Sequence, residues 1–267
     1  MKLEKKFRVA PNEKVKLDKW PTLVKEAKDK KSTAKSLEEN RGRLYELQEL
    51  LIAEQKRAVL IVLQGMDTSG KDGTIRHIFT GVNPQGCTVT SFKVPTPLEL
   101  RHDFLWRAHS AVPPRGMIGI FNRSHYEDVL VTRVHKTIDV KEAHRRCAEI
   151  VEFEQMLAEN GTVIMKFFLH ISRDEQTRRL EARLADPDRH WKVSNADFAE
   201  RPLWPAYMEA YEDAISRTSR KFAPWYVIPS DDKTYRNVAI SEIVVDTMRS
   251  LKMHYPRPTF DPSLIKL

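Results

Sequence analysis

Cysteine is scarce in this chain: Cys87 and Cys147 are the only two among 267 residues. Two thiols cannot build a disulfide framework or a cysteine-rich zinc site. No stretch approaches the ~20 consecutive apolar residues that a membrane span requires, so no membrane partner is expected. The opening residues, Met1-Lys2-Leu3-Glu4-Lys5-Lys6, are charged and no apolar h-region follows them. A secretory signal is therefore not expected, and the default address is cytoplasmic. Glycine, at 9 residues, is too sparse for a collagen or a flexible low-complexity chain, while 41% apolar and 31% charged residues argue against wholesale disorder. Internal repeats are absent, and the nine histidines show no Ser-His-Asp ordering that would support covalent catalysis. At ~150 residues per domain the length allows one large domain or two small ones, enough to bury a core without staples.

What is abundant is positive charge. Lysine and arginine outnumber the acids by 8, a balance that attracts polyanions at long range. Nucleic acid, anionic lipid and polymeric phosphate all remain open on charge alone, as does a merely basic surface.

Residues 1–33 are Lys-rich, with Pro11 and Pro21, and read as an arm lying on the surface. Residues 34–267 read as a single domain. Between Ser36 and Gln55, Leu44, Leu47, Leu51 and Ile52 recur at the spacing of one buried helical stripe. Ala58–Leu63 is a continuous apolar run, as expected for a strand covered on both faces. Thr88–Val94, Met117–Phe121, Val163–Ile171 and Trp225–Ile228 look alike, and helical patterns lie between them at Leu98–Ala108, Val140–Glu159 and Asp174–Leu184. Such alternation predicts an α/β fold, a doubly wound sheet of about five parallel strands covered by helices. A polar, proline-bearing segment at about 185–205 interrupts it, and long irregular insertions of this kind are often active-site lids. A plain surface loop is the alternative.

Directly after the first apolar run comes Gly65-Met66-Asp67-Thr68-Ser69-Gly70-Lys71, which satisfies GxxxxGK, and a helix is predicted over Asp72–Thr80. Strand before and helix after make this a phosphate-binding loop. Its glycines, Gly65, Gly70 and then Gly73, let backbone N–H groups turn onto phosphate oxygens, and Lys71 adds a full positive charge. Thr68, Ser69, Asp72 and Thr74 complete the expected substrate-binding set. The residue after Lys71 is Asp72, where a Ser or Thr hydroxyl ordinarily ligates Mg²⁺. A carboxylate inside the loop, Asp67, would repel phosphate unless a cation sat between them, so Asp67 is the expected metal ligand. Thr74 is a weaker candidate, and Asp72 could simply stabilise the helix start.

The third apolar run ends in Asn122-Arg123-Ser124-His125-Tyr126-Glu127-Asp128. In a parallel sheet, residues at the carboxyl edge enter the ligand crevice. Asn122 occupies the strand-end position usually held by a metal-binding carboxylate, so Asp128 becomes the second metal candidate and Glu127 a substrate contact. The alternatives are that Asp128 caps the following helix and that Glu127 is a solvated acid. Arg123 either points at the phosphates or holds an Asp structurally. His125 beside Tyr126 reads either as an acid/base pair or as a packed histidine.

At this point the chain resembles the polyphosphate kinase 2 family, in particular the branch that accepts both nucleoside mono- and diphosphates. The residues that carry the likeness are GMDTSGKDGTI (65–75), GVNPQG (81–86), SFKVPTPLEL (91–100), DFLWRAH (103–109), FNRSHYEDVLVTRVH (121–135), KFFLHIS (166–172), WKVSNADF (191–198) and APWYVIPSDDK (223–233). It spans about Phe7 to Tyr255. The resemblance implies a P-loop kinase fold with a helical lid, and a Mg²⁺-dependent, reversible transfer of the terminal phosphoryl group of inorganic polyphosphate to AMP and ADP, giving ADP and ATP. It places catalytic roles on Asp67, Lys71, Arg123 and Asp128, with Asp67 and Asp128 on the metal, and further roles on a basic lid in which Arg183 is expected to be catalytic and Arg178, Arg179 and Lys192 to bind substrate. It also implies a homo-oligomer. Other branches carry Asp at position 122 and Asn at position 127, which makes these two positions candidates for acceptor choice. The clustered Arg173, Arg178, Arg179, Arg183, Arg189 and Lys192 agree in sign with a polyanionic donor, although Glu175, four residues before Arg179, could tie it up in an ordinary pair. Two other readings stay open: a nucleoside monophosphate kinase using ATP, and a basic P-loop ATPase binding nucleic acid. The last lacks any aromatic-rich strand or recognition-helix pattern, so nucleic acid is not expected.

Overall fold

A strand whose side chains are apolar on both faces is stable only where helices cover both faces, and the central strand shows this directly. In the computed structural model, which describes residues 2–24, 30–193 and 195–261, every residue of Ala58–Gln64 is buried. Leu60 and Val62 enter one hydrophobic core, while Val59, Ile61 and Leu63 enter the other. Part of the expected arm (25–29), Ser194 of the expected lid and the last six residues lie outside the described residues.

The elements follow in the order α1 (Lys2–Phe7), α2 (Lys30–Glu54), β1 (Ala58–Gln64), α3 (Lys71–Ile78), β2 (Cys87–Ser91), α4 (Trp106–Ala111), β3 (Ile118–Asn122), α5 (Glu127–Val134) and α6 (Val140–Glu159). Then come β4 (Thr162–His170), α7 (Arg173–Leu184), α8 (Asn195–Glu200), α9 (Trp204–Thr218), β5 (Trp225–Pro229) and α10 (Lys233–Ser250). The strands form one parallel sheet in the order β2-β3-β1-β4-β5. Helices α5, α6 and α9 supply one core through Leu130, Ile150 and Ile215, and α2 and α10 supply the other through Leu44, Leu51, Ile240 and Val244. Because the strand order reverses beside β1, the crevice at its carboxyl end is where ligands of such sheets bind.

Three expectations need correction. The segment before α2 does not lie on the surface: Phe7, Val9, Val15 and Leu17 are buried. Val9 donates its N–H to the Trp225 carbonyl at 2.9 Å and Arg8 bridges Tyr226 in antiparallel fashion, so this segment covers the β5 edge that would otherwise be unpaired. Leu98–Ala108 is not one helix. A 3-10 turn at Glu99–Arg101 is closed by reciprocal bonds between Thr96 and Glu99, and α4 starts only at Trp106. Leu98 and Leu100 are exposed, so no apolar stripe holds a continuous helix there. The segment expected to be irregular at 185–205 carries short elements instead: a 3-10 helix Pro187–Lys192, α8 and a 3-10 turn Arg201–Leu203. No helix among the described residues is long and apolar enough to cross a membrane.

Candidate active site

The GxxxxGK loop joins β1 to α3 and wraps around the Lys71 ammonium. Lys71 Nζ donates to the carbonyls of Gly65 at 2.7 Å and Met66 at 3.2 Å. Burial, with the nearby Arg123 charge, lowers its pKa from 10.5 to about 8. Gly70 has φ of 103°, and a Cβ there would lie 2.0 Å from Arg236 Nη1, so only glycine fits. Thr68 holds a left-handed φ of 63° without that freedom, the kind of backbone strain that clusters at functional sites. The hydroxyls of Thr68, Ser69 and Thr74 are buried and without a hydrogen-bond partner. Orphaned buried hydroxyls are costly, and three around one anion-binding loop point to a polar ligand that satisfies them.

Opposite the loop, Arg123 also sits at a left-handed φ, 61°, with its N–H on the Leu63 carbonyl. Its guanidinium bridges two carboxylates, Asp67 Oδ1 at 2.6 Å and Glu127 Oε2 at 3.0 Å. Burial opposes the Arg123 charge, but Glu127 and Asp67 outweigh it and hold its pKa above the ordinary value. Glu127 is thus a largely buried ion-pair partner rather than a solvated acid. Asn122 Nδ2 donates to Asp72 Oδ1 at 2.6 Å, which ties the strand-end position to the start of α3.

Asp128, the next residue along the first turn of α5, faces elsewhere. It does not cap the helix; its Oδ2 accepts from Arg107 Nη2 at 3.1 Å. Burial raises its pKa against the pull of Arg107. Both line a cavity of about 780 Å³ between the 95–107 segment, α5 and α6, walled by Phe104, Phe153 and Ile138.

The expected basic lid is split by the structure. Arg179 does not belong to a surface that closes over phosphates. It is buried below the loop, with Nη1 on the carbonyls of Thr68 (2.9 Å) and Ser69 (3.2 Å), Nη2 on those of Ser230 (2.6 Å) and Asp231 (3.0 Å), and Nε on Glu175 (2.7 Å). Arg178 also pairs with Glu175, at 2.6 Å, but remains exposed. Arg183 reaches the Lys192 carbonyl at 3.4 Å, and the Lys192 ammonium lies 4.7 Å from the centre of the exposed Trp191 ring. One side of α7 therefore braces the loop, and the residues beyond it face solvent. His125 and Tyr126 are fully buried. The Tyr126 hydroxyl donates to Glu154 and accepts from Lys166, each at 2.9 Å, so this pair packs rather than presents an acid and a base.

A divalent cation fits part of this arrangement. Among the described residues no three His, Cys, Asp or Glu side chains cluster to cage a metal. A kinase metal needs no cage, since substrate phosphates and water complete a shell begun by one or two carboxylates. Asp67, partly exposed within the loop, and the partnerless Thr74 hydroxyl suit that role. Asp128 is engaged instead by Arg107, apart from the Asp67–Arg123–Glu127 chain.

Three residues absent from the sequence reading complete the site. Arg107 holds Asp128, Gln176 donates to the Asp67 carbonyl at 3.1 Å, and Arg236 donates to the Ser69 carbonyl at 3.0 Å. No local pattern marks them, because the last two contacts join residues 109 and 167 positions apart.

With this geometry in view, comparison with known proteins is informative. The family model "Polyphosphate kinase 2 (PPK2)" matches residues 26–256. The chain is 50% identical, over 95% of its length and 96% of the relative's, to an AMP/ADP-polyphosphate phosphotransferase of Meiothermus ruber. It is 48% identical, over 96% and 93%, to an ADP-polyphosphate phosphotransferase of Rhodopseudomonas palustris. The crystal structure of polyphosphate kinase 2 from Arthrobacter aurescens TC1 superposes with a TM-score of 0.94 at 42% identity, covering 98% of this chain and 94% of that one. Phosphate loop, arginine-bridged carboxylates and five-stranded parallel sheet thus meet on one P-loop kinase scaffold, and the chain belongs to the polyphosphate kinase 2 family.

Proposed function

We propose that the chain transfers the terminal phosphoryl group of inorganic polyphosphate to AMP and ADP, yielding ADP and ATP in a reversible, Mg²⁺-dependent reaction. The observation that carries this reading is the loop itself: Lys71 and three partnerless hydroxyls on one side, and the Asp67–Arg123–Glu127 chain on the other. The relatives named above are polyphosphate phosphotransferases of AMP and ADP in one case and of ADP in the other, which supports the substrate class.

The donor's terminal phosphates lie on the loop, where Lys71 exchanges the Gly65 and Met66 carbonyls for phosphate oxygens and the first N–H groups of α3 add donors. Arg123, positioned by its two carboxylates, carries charge toward the transferring group. Asp67, with the Thr74 hydroxyl nearby, would hold Mg²⁺, which would supply positive charge against the phosphate oxygens. The acceptor nucleoside occupies the cavity beside Asp128 and Arg107, whose volume falls within the range usual for small-molecule sites. Glu127 and Asp128, adjacent on α5, thereby link the two substrates. Arg178, Arg183 and Lys192 close over the phosphates and exclude water, which would otherwise intercept the phosphoryl group. An ionised acceptor phosphate needs no general base, in keeping with the burial of His125.

The test is ATP and ADP formation from AMP plus long-chain polyphosphate with no ATP added. Product in that assay is the expected result. Phosphorylation of AMP by ATP alone, with none from polyphosphate, would establish the ordinary nucleotide-kinase reading instead.

A further inference from the structure

Arg236, in the first turn of α10, is 2% exposed, yet among the described residues no carboxylate pairs with its guanidinium. Its partners are neutral: Nη1 donates to the Ser69 carbonyl at 3.0 Å, and Nε and Nη2 donate to Asn237 Oδ1 at 3.2 and 2.9 Å. Asp232, one turn earlier, spends its carboxylate on the N–H groups of Thr234 and Tyr235. A second buried guanidinium, that of Arg179, shares the Ser69 carbonyl. Burial, reinforced by Arg179, lowers the Arg236 pKa to about 9 against the weaker pull of the Asp232 carboxylate, which makes no ion pair with it. A buried cation without an anion is ordinarily expelled or neutralised. Here it is kept beneath a loop whose own hydroxyls lack partners.

The peptide geometry shows what this arrangement does. In a trans peptide the C=O of one residue and the N–H of the next point in opposite directions. Holding the Ser69 carbonyl from behind with two guanidinium groups turns the Gly70 N–H to the opposite side of the loop. The glycine is required for the same reason, since any Cβ at position 70 would collide with the Arg236 fork.

We propose that Arg236 is a positioning residue for the polyphosphate donor: it orients the Gly70 N–H through the Ser69 carbonyl, and its unpaired charge is balanced by the phosphate anion bound on the other side. This rests on the reading that the donor occupies the loop. Hydrogen bonds to charged groups and charge-assisted contacts set the expected scale, a loss of roughly tenfold or more in donor affinity when the fork is removed.

The experiment measures thermal melting of the wild type and of Arg236→Met with and without inorganic tripolyphosphate, together with initial rates against polyphosphate at saturating AMP. The expected result is a tripolyphosphate-induced rise in melting temperature that Arg236→Met cuts by at least half, and a polyphosphate KM raised more than kcat is lowered. A full rise and an unchanged KM in Arg236→Met would show a structural brace only and overturn the proposal, whatever happens to the melting temperature itself. If the wild type shows no rise, the donor-site reading fails and this proposal with it, an outcome separate from failure in the variant alone. Should Arg236→Met not fold, Arg236→Lys decides. Its single ammonium cannot hold Ser69 and Asn237 together, so calorimetric affinity for tripolyphosphate should drop about threefold to tenfold, and wild-type affinity there would overturn the proposal.

Discussion

Replacing Lys71 by methionine should stabilise the protein at neutral pH while abolishing its activity. The fall of the Lys71 pKa from 10.5 to about 8 corresponds to roughly 3 kcal/mol spent keeping a buried ammonium charged. The bonds from Nζ to the Gly65 and Met66 carbonyls return roughly 0.5–1.5 kcal/mol each. Removing the charge therefore leaves a net gain of about 1 kcal/mol near pH 7. The pH dependence fixes the sign independently. Between pH 8 and 10.5 the unfolded chain binds the lysine proton and the native protein does not, so wild-type stability rises with pH through that window. Below pH 8 both states are protonated and the penalty is present in full. Urea unfolding of both proteins at pH 7, 9 and 10.5, without substrates, separates this contribution from other titrating groups, because those cancel in the difference. The advantage of Lys71→Met should be greatest at pH 7 and shrink by up to about 3 kcal/mol by pH 10.5. A pH-independent difference, or a variant less stable than wild type at pH 7 by more than about 1 kcal/mol, would refute the reasoning.

Asp67→Ala should retain a wild-type circular dichroism spectrum and less than roughly a tenth of kcat/KM, since it loses both the carboxylate proposed to hold the metal and the partner that aims Arg123; higher activity in a folded variant would remove the metal role. Asp128→Asn, which weakens the pairing with Arg107 beside the acceptor cavity, should raise the AMP KM more than Asn122→Ala does and leave the Mg²⁺ titration unchanged; a raised Mg²⁺ requirement would instead put Asp128 on the metal. Arg183→Ala should act mainly on kcat, whereas Lys192→Ala should raise polyphosphate KM modestly and weaken its salt dependence. Initial rates at two salt concentrations check both, and no change in either variant would make 185–205 a plain surface segment.

The parts of this protein legible from residue order are those whose cause is local. Val140–Glu159 is helical because Asp139 caps its first turn, accepting the Glu142 N–H at 2.7 Å, and an apolar stripe through Ala143, Cys147 and Ile150 follows at helical spacing. The central strands announce themselves as apolar runs, β1 as an unbroken one, and the phosphate loop as seven consecutive residues between a strand and a helix. Local reasoning fails where the deciding partner is remote. The Lys-rich start of the chain hides Phe7, Val9, Val15 and Leu17 among charges, and their burial depends on remote partners: the open edge of β5 takes the Val9 N–H, and Ser216 and Glu212 of α9 take those of Val15 and Leu17. Arg179 and Arg183 share a helical face on paper, but the carbonyls of Thr68 and Ser69 draw the first beneath the loop and leave the second at the surface.

By itself, then, the sequence determined the alternation of five strands with helices, the identity of the phosphate loop and the acidic and basic residues gathered near it, but not the helices α9 and α10. Hydrophobic period, capping and glycine conformation act within a few residues. Only the tertiary structure decided which arginine meets which acceptor: Arg123 between Asp67 and Glu127, Arg107 on Asp128, Arg236 and Arg179 behind Ser69. A guanidinium is charged wherever it stands, and its role is set by the groups that burial brings within hydrogen-bonding distance of it.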